Sequence, residues 1–433
     1  MLRSLDWLMR NVLRAKPGEE RAVGLAFLYF FMLLCAYYLL RPLRDAMAIS
    51  AGVENQRWLY IATFISMLVL TPFFGVLVSR VQKKLLLPVT YGFFASNLLV
   101  YYVLFKVVPE SFWVATSFFV WLSVFNMFVV SVFWSFMADV FRDEEAKRLF
   151  GPIAAGGGTG AIVGPSLMQL LVPWIGVDAV VFLAMLLLLG TLPCIRGLAH
   201  WAERRHGHFE LPPDDPEARI GGRMMAGALL VARSPYLLGI FAIIGIGSMA
   251  GVFMYQELLQ LVGDTYPDLE TRSQFFARLD TAVNVLAWVF QGFVVAWLIR
   301  AVGLSGALIA TPVAAFLSFA ALAFAFVAAM PILAVLGAGQ VIRRAGEFGI
   351  AKPSRDVLYT IVDAETKYKA KNFIDTVMQR GSDLAGVWLH VGLQSLGVGL
   401  FGFSLLCGAG MIAAGAISWG LGRSFERRRA GTS

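Results

Sequence analysis

Charge is what this sequence has least of. Only 15% of its 433 residues are Asp, Glu, Lys or Arg, whereas 58% are hydrophobic. A soluble domain carries roughly 25% charged residues and cannot hide this much apolar surface from water. A water-soluble globular chain is therefore excluded, and a lipid bilayer is the solvent that fits. Cysteine is also scarce: Cys35, Cys194 and Cys407 each lie in or at the end of an apolar run. Their spacing fits neither a metal site nor a disulfide framework, so they read as buried thiols. The glycine-rich stretch Gly156-Gly157-Gly158-Thr159-Gly160 has no Gly-Lys-Ser/Thr after it, which removes a phosphate-loop ATPase. No catalytic triad is visible, so an enzyme is not expected, and neither is a cofactor. A cleavable targeting peptide is missing too. Residues 1–21 are basic, with Leu5, Leu8, Val12 and Leu13 at helical spacing, the pattern of an amphipathic helix lying at the cytoplasmic interface.

What is present is apolar length. A helix needs about 20 apolar residues to cross the ~30 Å hydrocarbon core. Runs without an acidic or basic residue cover 22–40, 58–79, 85–105, 111–138, 151–177, 179–195, 234–256 and 281–299. Two more, 301–342 and 384–422, are too long for one crossing; the first would measure about 60 Å as a straight helix. It should turn near Met330 and Pro331. The second should turn near Gly397 and Gly399, with its first helix starting around Asn372. The expected fold class is an all-α integral membrane protein of about twelve transmembrane helices.

The net charge of +8 would point to nucleic acid in a soluble protein, but here it reads as topogenic charge in cytoplasmic loops. With both termini inside, only Arg41, Arg44, Arg57, Lys106, Arg272 and Arg278 fall outside, and Arg343, Arg344 and Arg380 fall within or beside helices. The other Lys and Arg residues lie in inward tails and loops. Both termini are thus expected in the cytoplasm and the chain in a bacterial inner membrane. The polar stretch 196–233, with His206, His208 and Pro212-Pro213, reads as a solvated cytoplasmic linker between a six-helix half at 22–195 and another at 234–422. Residues 423–433 form a basic tail. This plan is that of the major facilitator superfamily. A shift of 224 residues supports it by placing Asp139 on Asp363, Ala146 on Ala370, Lys147 on Lys371, Gly157 on Gly381 and Ala161 on Ala385.

Gly156, Gly160 and Gly164 are four apart on one helical face, the small-residue spacing that lets membrane helices pack closely. Charge inside the apolar runs is more informative, since it costs about 2.5–3.5 kcal/mol at mid-bilayer on insertion scales. Tyr37, Arg41 and Arg44 share a face of helix one, with Tyr38 and Asp45 alongside. Two readings fit: bidentate binding of phosphate or carboxylate, with an aromatic ring to stack, or arginines snorkelling to headgroups with Arg44 paired to Asp45. Glu257 ends an uncharged run and suits the membrane margin, while His390 sits alone in another and reads as an interior histidine. Arg343, Arg344 and Glu347 are spaced for internal ion pairs. Asp375, Gln379 and Asp383 share a face with Arg380 beside them, a stripe that must line a cavity or gate rather than lipid.

At these residues the sequence resembles the nucleotide transporter family, the ATP/ADP antiporters of plastids and obligate intracellular bacteria. Three segments carry the likeness: Tyr38-x-x-Arg41-x-x-Arg44-Asp45; Phe133-Trp134-x-Phe136-x-Ala138 followed by Glu145-Ala146-Lys147-Arg148; and Pro353-Ser354-Arg355-Asp356-x-x-Tyr359, then Asp363-x-Glu365-x-Lys367 and Lys371-x-x-Ile374-Asp375. The resemblance implies a distant bacterial member with a major-facilitator-like fold that exchanges nucleotides, or imports them with protons, without hydrolysing them. It puts Arg44 where the family has a functional Lys, Glu257 at the helix-seven Glu, and Lys371 at the Lys before Ile-Asp. Arg replaces Lys at 44, Val120 replaces a Glu, and Leu259-Gln260 replaces Trp-Lys. These departures bear on the substrate rather than the fold.

The expected function is secondary transport of an organic anion, a nucleotide or another phosphorylated metabolite, by alternating access at the pseudo-symmetric interface of the halves. Substrate binding would fall to Arg41, Arg44, Tyr37, Tyr38, Glu257, Lys371, Arg343, Arg344 and Arg380. Coupling or gating would fall to Asp45, Asp139, Lys147, Glu347, Asp363, Asp375 and Asp383. The alternatives are a proton-coupled exporter of unrelated small molecules and a non-transporting sensor or scaffold on the same fold. A monomer in the bilayer, with a small anionic partner and no nucleic acid, is expected.

Overall fold

The computed structural model describes residues 16, 18–80, 83–108, 111–206, 228–362, 370–371, 373–374 and 379–430. Most of the amphipathic segment, the middle of the linker, Asp363 and Asp375 lie outside the described residues. Every regular element among the described residues is helical. In chain order these are α1 (Glu20–Ser50), α2 (Gln56–Arg80), α3 (Lys83–Val107), α4 (Phe112–Val140), α5 (Asp143–His206) and α6 (Pro235–Thr265). They continue with α7 (Leu269–Val289), α8 (Val295–Val327), α9 (Ile332–Gly346), the short α10 (Lys352–Leu358), α11 (Gln379–Ser395) and α12 (Leu400–Ala430).

Among the described residues, seven continuous helical stretches are long and apolar enough to cross a membrane by length and composition. Two of them, of 62 and 59 residues, exceed any single crossing. Each is interrupted by a glycine in left-handed backbone: Gly176 (φ 76°) in α5 and Gly303 (φ 73°) in α8. An L side chain rarely adopts that φ, so the turn falls on the residue that tolerates it. The expected turn near Met330 is present, with Ala329 at φ 51° and Pro331 opening α9. The turn between α11 and α12 carries Gly397 at φ 83°.

The chain divides into two compact units. Unit 1 comprises Met1–Gly52, Ile65–Pro213 and Tyr266–Thr281; unit 2 comprises Val53–Phe64, Asp214–Thr265 and Ala282–Ser433. Helix α1 is the spine of unit 1. It is apolar on nearly every face and correspondingly buried, as a helix hydrophobic all round must be. It carries Arg41, Arg44 and Asp45, as expected, and continues through Pro42 to Ser50. Pro42 gives up one backbone hydrogen bond, yet the packed neighbours hold the helix past it.

Close packing of α1 on α5 runs through the glycines that the spacing singled out. A Cβ on Gly156 would stand 2.4 Å from the Phe27 carbonyl oxygen, one on Gly160 2.4 Å from that of Phe31, and one on Gly164 2.6 Å from that of Cys35. No side chain fits there, so the two backbones touch. Past the Gly176 break, α5 returns along α1, where Gly190 faces Met32 and Gly197 faces Leu25. In unit 2, α6 packs on α11 and α12, and α8 packs on α9 and α12. Two π-helical turns, Phe290–Val294 and Glu347–Ala351, meet there at Gly349, whose Cβ would lie 2.5 Å from that of Phe290.

Candidate functional site

In unit 1 the predicted cations of α1 sit inside the packed unit. The Arg41 side chain is only 16% exposed and faces Asp280 across 3.7 Å. That is an ion pair too long for a good hydrogen bond, and the buried Arg41 Nε has no hydrogen-bond partner among the described residues. The Tyr38 ring lies 5.7 Å from its guanidinium carbon and packs edge-on against Tyr37. Arg44 donates from Nε and Nη2 to Asp45 at 2.9 and 2.6 Å, and lies over the Phe119 ring at 5.0 Å. The Arg44–Asp45 pairing anticipated from the sequence is present, in a half-buried setting.

A second cluster lies within unit 2. His390 Nε2 on α11 is 2.9 Å from Glu257 Oε1 on α6, and both residues are buried. The imidazole is stacked on Phe403, centroid to centroid 4.4 Å, and edge-on to Phe253. His390 is thus a hydrogen-bonded interior histidine, as its apolar surroundings in the sequence suggested, and Glu257 is buried rather than exposed. They are 133 residues apart in sequence, and only the packing of α6 on α11 brings them together. The Arg343 guanidinium lies flat against α6 because position 251 is glycine; a Cβ there would meet Nη1 at 2.6 Å.

Arg343 and Glu347 were spaced as an ion pair, yet Arg343 donates to Gln340 Oε1 at 3.2 and 3.1 Å, and Glu347 accepts Arg355 at 2.7 Å. The Glu347 N–H bonds the Arg343 carbonyl, so the backbone is α-helical between the two, and the π turn that begins at Glu347 shifts the register of the residues after it, Arg355 included. Arg343, Glu347 and Arg355 line a recess of about 40 Å³ with Thr311 and Ser418, room for a few waters. Arg344 is buried, Asp383 half-buried and Arg380 exposed. Lys371 is a surface residue, bonded to Asp356 at 2.7 Å and set over Tyr359. The third motif is thus a local unit: Asp356, Tyr359, Lys371 and Ile374 come together, with Tyr236 donating to the Leu358 carbonyl at 2.9 Å.

Residues 23–345 match the sequence profile of the Major Facilitator Superfamily. The chain belongs to this superfamily. Its sequence is similar to ADP,ATP carrier protein 1 of Chlamydia pneumoniae, 25% identical over 324 residues, which is 65% of this chain and 61% of that protein. The chain therefore matches less than two thirds of the carrier's length. In fold it is similar to a bacterial homologue of the iron transporter ferroportin in an inward-facing state (TM-score 0.63, 13% identity, 94% and 98% of the two chains). It is also similar to the POT family transporter PepTSo (0.61, 13%, 95% and 99%) and to nucleoside transporter NupG (0.56, 13%, 95% and 99%).

A charged network in this superfamily member went unnoticed in the sequence. Glu19, 1% exposed, accepts Arg148 at 2.9 Å and Arg205 at 3.2 Å, while Arg205 also reaches Glu145 at 3.3 Å. Glu145 in addition accepts the Arg142 backbone N–H at 3.1 Å, capping α5 from its third position. Trp201 donates to the Gly18 carbonyl at 2.9 Å. These bonds tie the start of α1 to both ends of α5. Lys147, the predicted gate residue, is exposed, whereas its neighbour Arg148 turns inward. Asp139 is half-buried near the end of α4. Val120, standing where the resembled family has Glu, lines an apolar recess with Thr90, Phe93 and Trp121.

Proposed function

We propose that this chain is a secondary transporter of an organic anion, a nucleotide or other phosphorylated metabolite. It would have twelve crossings in two six-helix halves, with both termini on the cytoplasmic side of a bacterial inner membrane. The breaks at Gly176 and Gly303 support the count, because each turns one long helical stretch into two crossings. The similarity to an ADP,ATP carrier supports the substrate class. The observation that carries the reading is Arg41. A guanidinium held inside a membrane bundle, with a carboxylate only at 3.7 Å and a buried N–H unsatisfied, has donors to offer an incoming anion. Tyr37 and Tyr38 beside it offer ring faces for a base. Exchange needs no hydrolysis, so no catalytic residue is called for.

The test is ligand-dependent thermal stabilisation of the purified full chain by ATP, ADP, orthophosphate and adenosine. ATP or ADP is expected to raise the melting temperature, and adenosine is not. A charge-assisted hydrogen bond contributes roughly 1.5–3 kcal/mol. Arg41→Ala should therefore weaken binding about tenfold to a hundredfold at ~1.4 kcal/mol per decade. Arg41→Lys should retain part of it, because the charge survives without the planar fork. Equal stabilisation by adenosine, or unchanged ATP affinity in a folded Arg41→Ala protein, would contradict the reading.

A further inference from the structure

We propose that Glu257 and His390 together form a proton-binding site that loads and unloads one proton in each transport cycle. This rests on the transport reading for its role, but not for its chemistry. The pair links two helices of unit 2 through a 2.9 Å contact from Nε2 to Oε1. Without a proton the pair carries one negative charge. With one proton it is neutral overall, whether the proton resides on the carboxylate or the imidazole. The step balances: His390 or Glu257 takes a proton from water on one side of the membrane and later returns it to water on the other.

Three observations favour proton binding over a fixed structural hydrogen bond. Glutamine at either position would supply the bond without an ionisable group, whose burial in a membrane bundle is costly. Histidine is the side chain whose ordinary titration falls near neutral pH. The Glu257 side chain keeps 11% of its surface exposed and His390 6%, and Phe403 and Phe253 pack against the ring. Stacking on Phe403 also favours an imidazolium, since a cation is attracted to an aromatic face.

The surrounding charges give the proton something to act on. Cys407 on α12 lies within electrostatic reach of both Glu257 and Arg343. Arg343 on α9 in turn feels Arg344, Glu347 and, from α11, Asp383, which is flanked by Arg380. The polar residue next to Glu257 on α6 is the buried Gln256. Loading a proton removes a negative charge from this neighbourhood and so changes the field felt by the buried Arg343 and the groups around it. Proton and anion would then move together.

The decisive experiment follows the imidazole itself. Full-length protein carrying nitrogen-15 histidine, in lipid nanodiscs, has four histidines, and the His390 signal is assigned by its loss in His390→Gln. We expect the His390 ring signals of wild type to respond to pH between 5 and 9, and that response to differ more in Glu257→Gln than in Glu257→Asp, because the imidazole contacts the carboxylate directly. A His390 whose signals do not respond to pH over that range, or respond identically in Glu257→Gln, overturns the proposal. Thermal unfolding of each variant identifies any that fails to fold, and Glu257→Asp then decides. A second measurement loads proteoliposomes with a pH dye and supplies labelled ATP. Wild type should move protons with ATP, and His390→Gln should move ATP with no matching proton. ATP flux without proton movement in wild type overturns the proton site and leaves the transport reading standing. If ATP does not move at all, the transport reading fails and the titration alone decides the proton site.

Discussion

Replacing Gly160 with alanine puts the α1–α5 packing to a quantitative test. The new Cβ would stand 2.4 Å from the Phe31 carbonyl oxygen and 2.9 Å from the Cys35 backbone nitrogen. Non-bonded heavy atoms prefer about 3.5 Å or more, so the helices must part by roughly 1 Å along this seam. Neither obstacle is a flexible side chain that can swing aside. Overpacking of this kind costs about 1–3 kcal/mol, against a gain of ~1 kcal/mol from replacing glycine by alanine in a helix. Because both obstacles are backbone atoms the cost falls at the upper end of that range, and the net loss of about 1–2 kcal/mol corresponds to a fall of roughly 2–8 °C in melting temperature for a unit this size. Gly151→Ala is the control, because nothing lies within 4 Å of a Cβ there; it should leave stability unchanged or raise it. The assay is thermal unfolding of purified protein in detergent, followed by size exclusion. If Gly160→Ala melts with wild type, or shifts as Gly151→Ala does, the glycine stripe is not a backbone contact.

Asp268 caps α7 by accepting the Thr271 N–H at 2.8 Å and hydroxyl at 2.7 Å. These bonds hold its carboxyl below the usual range. Its contribution is therefore present above the unfolded value near ~3.9 and is lost as pH falls through the lower folded value. Asp268→Ala should cost about 1 kcal/mol at neutral pH, and the gap in melting temperature from wild type should close in acid. Cysteines introduced at Glu203 and Asp268 should react with an impermeant thiol reagent from opposite sides of the membrane, Glu203 from the cytoplasm; labelling of both from one side would contradict the proposed topology.

Some of this was legible in the sequence because it depends on local spacing. The four-residue glycine period predicts which face of α5 meets α1, and Met330-Pro331 marks its turn through backbone restrictions alone. The sequence left Arg41 open between an inward-facing site and headgroup snorkelling, and its burial against Asp280 emerges only from the packing. Tertiary partners were beyond reach: nothing near Glu257 in the chain points to His390, and nothing near Glu19 points to Arg205. Competing side-chain partners were equally invisible: the Arg343–Glu347 spacing is α-helical as expected, yet Gln340 takes the Arg343 donors and Arg355 takes the Glu347 carboxylate.

Counterflow most directly tests the claim that the chain moves an anionic phosphorylated substrate. Proteoliposomes holding the wild-type protein are loaded with unlabelled ATP or left empty, then given labelled ADP outside. The account predicts that ATP-loaded vesicles accumulate label well above empty ones, and that Arg41→Ala vesicles of equal protein content lose most of that excess. Equal label in loaded, empty and protein-free vesicles, with the protein folded, would contradict it.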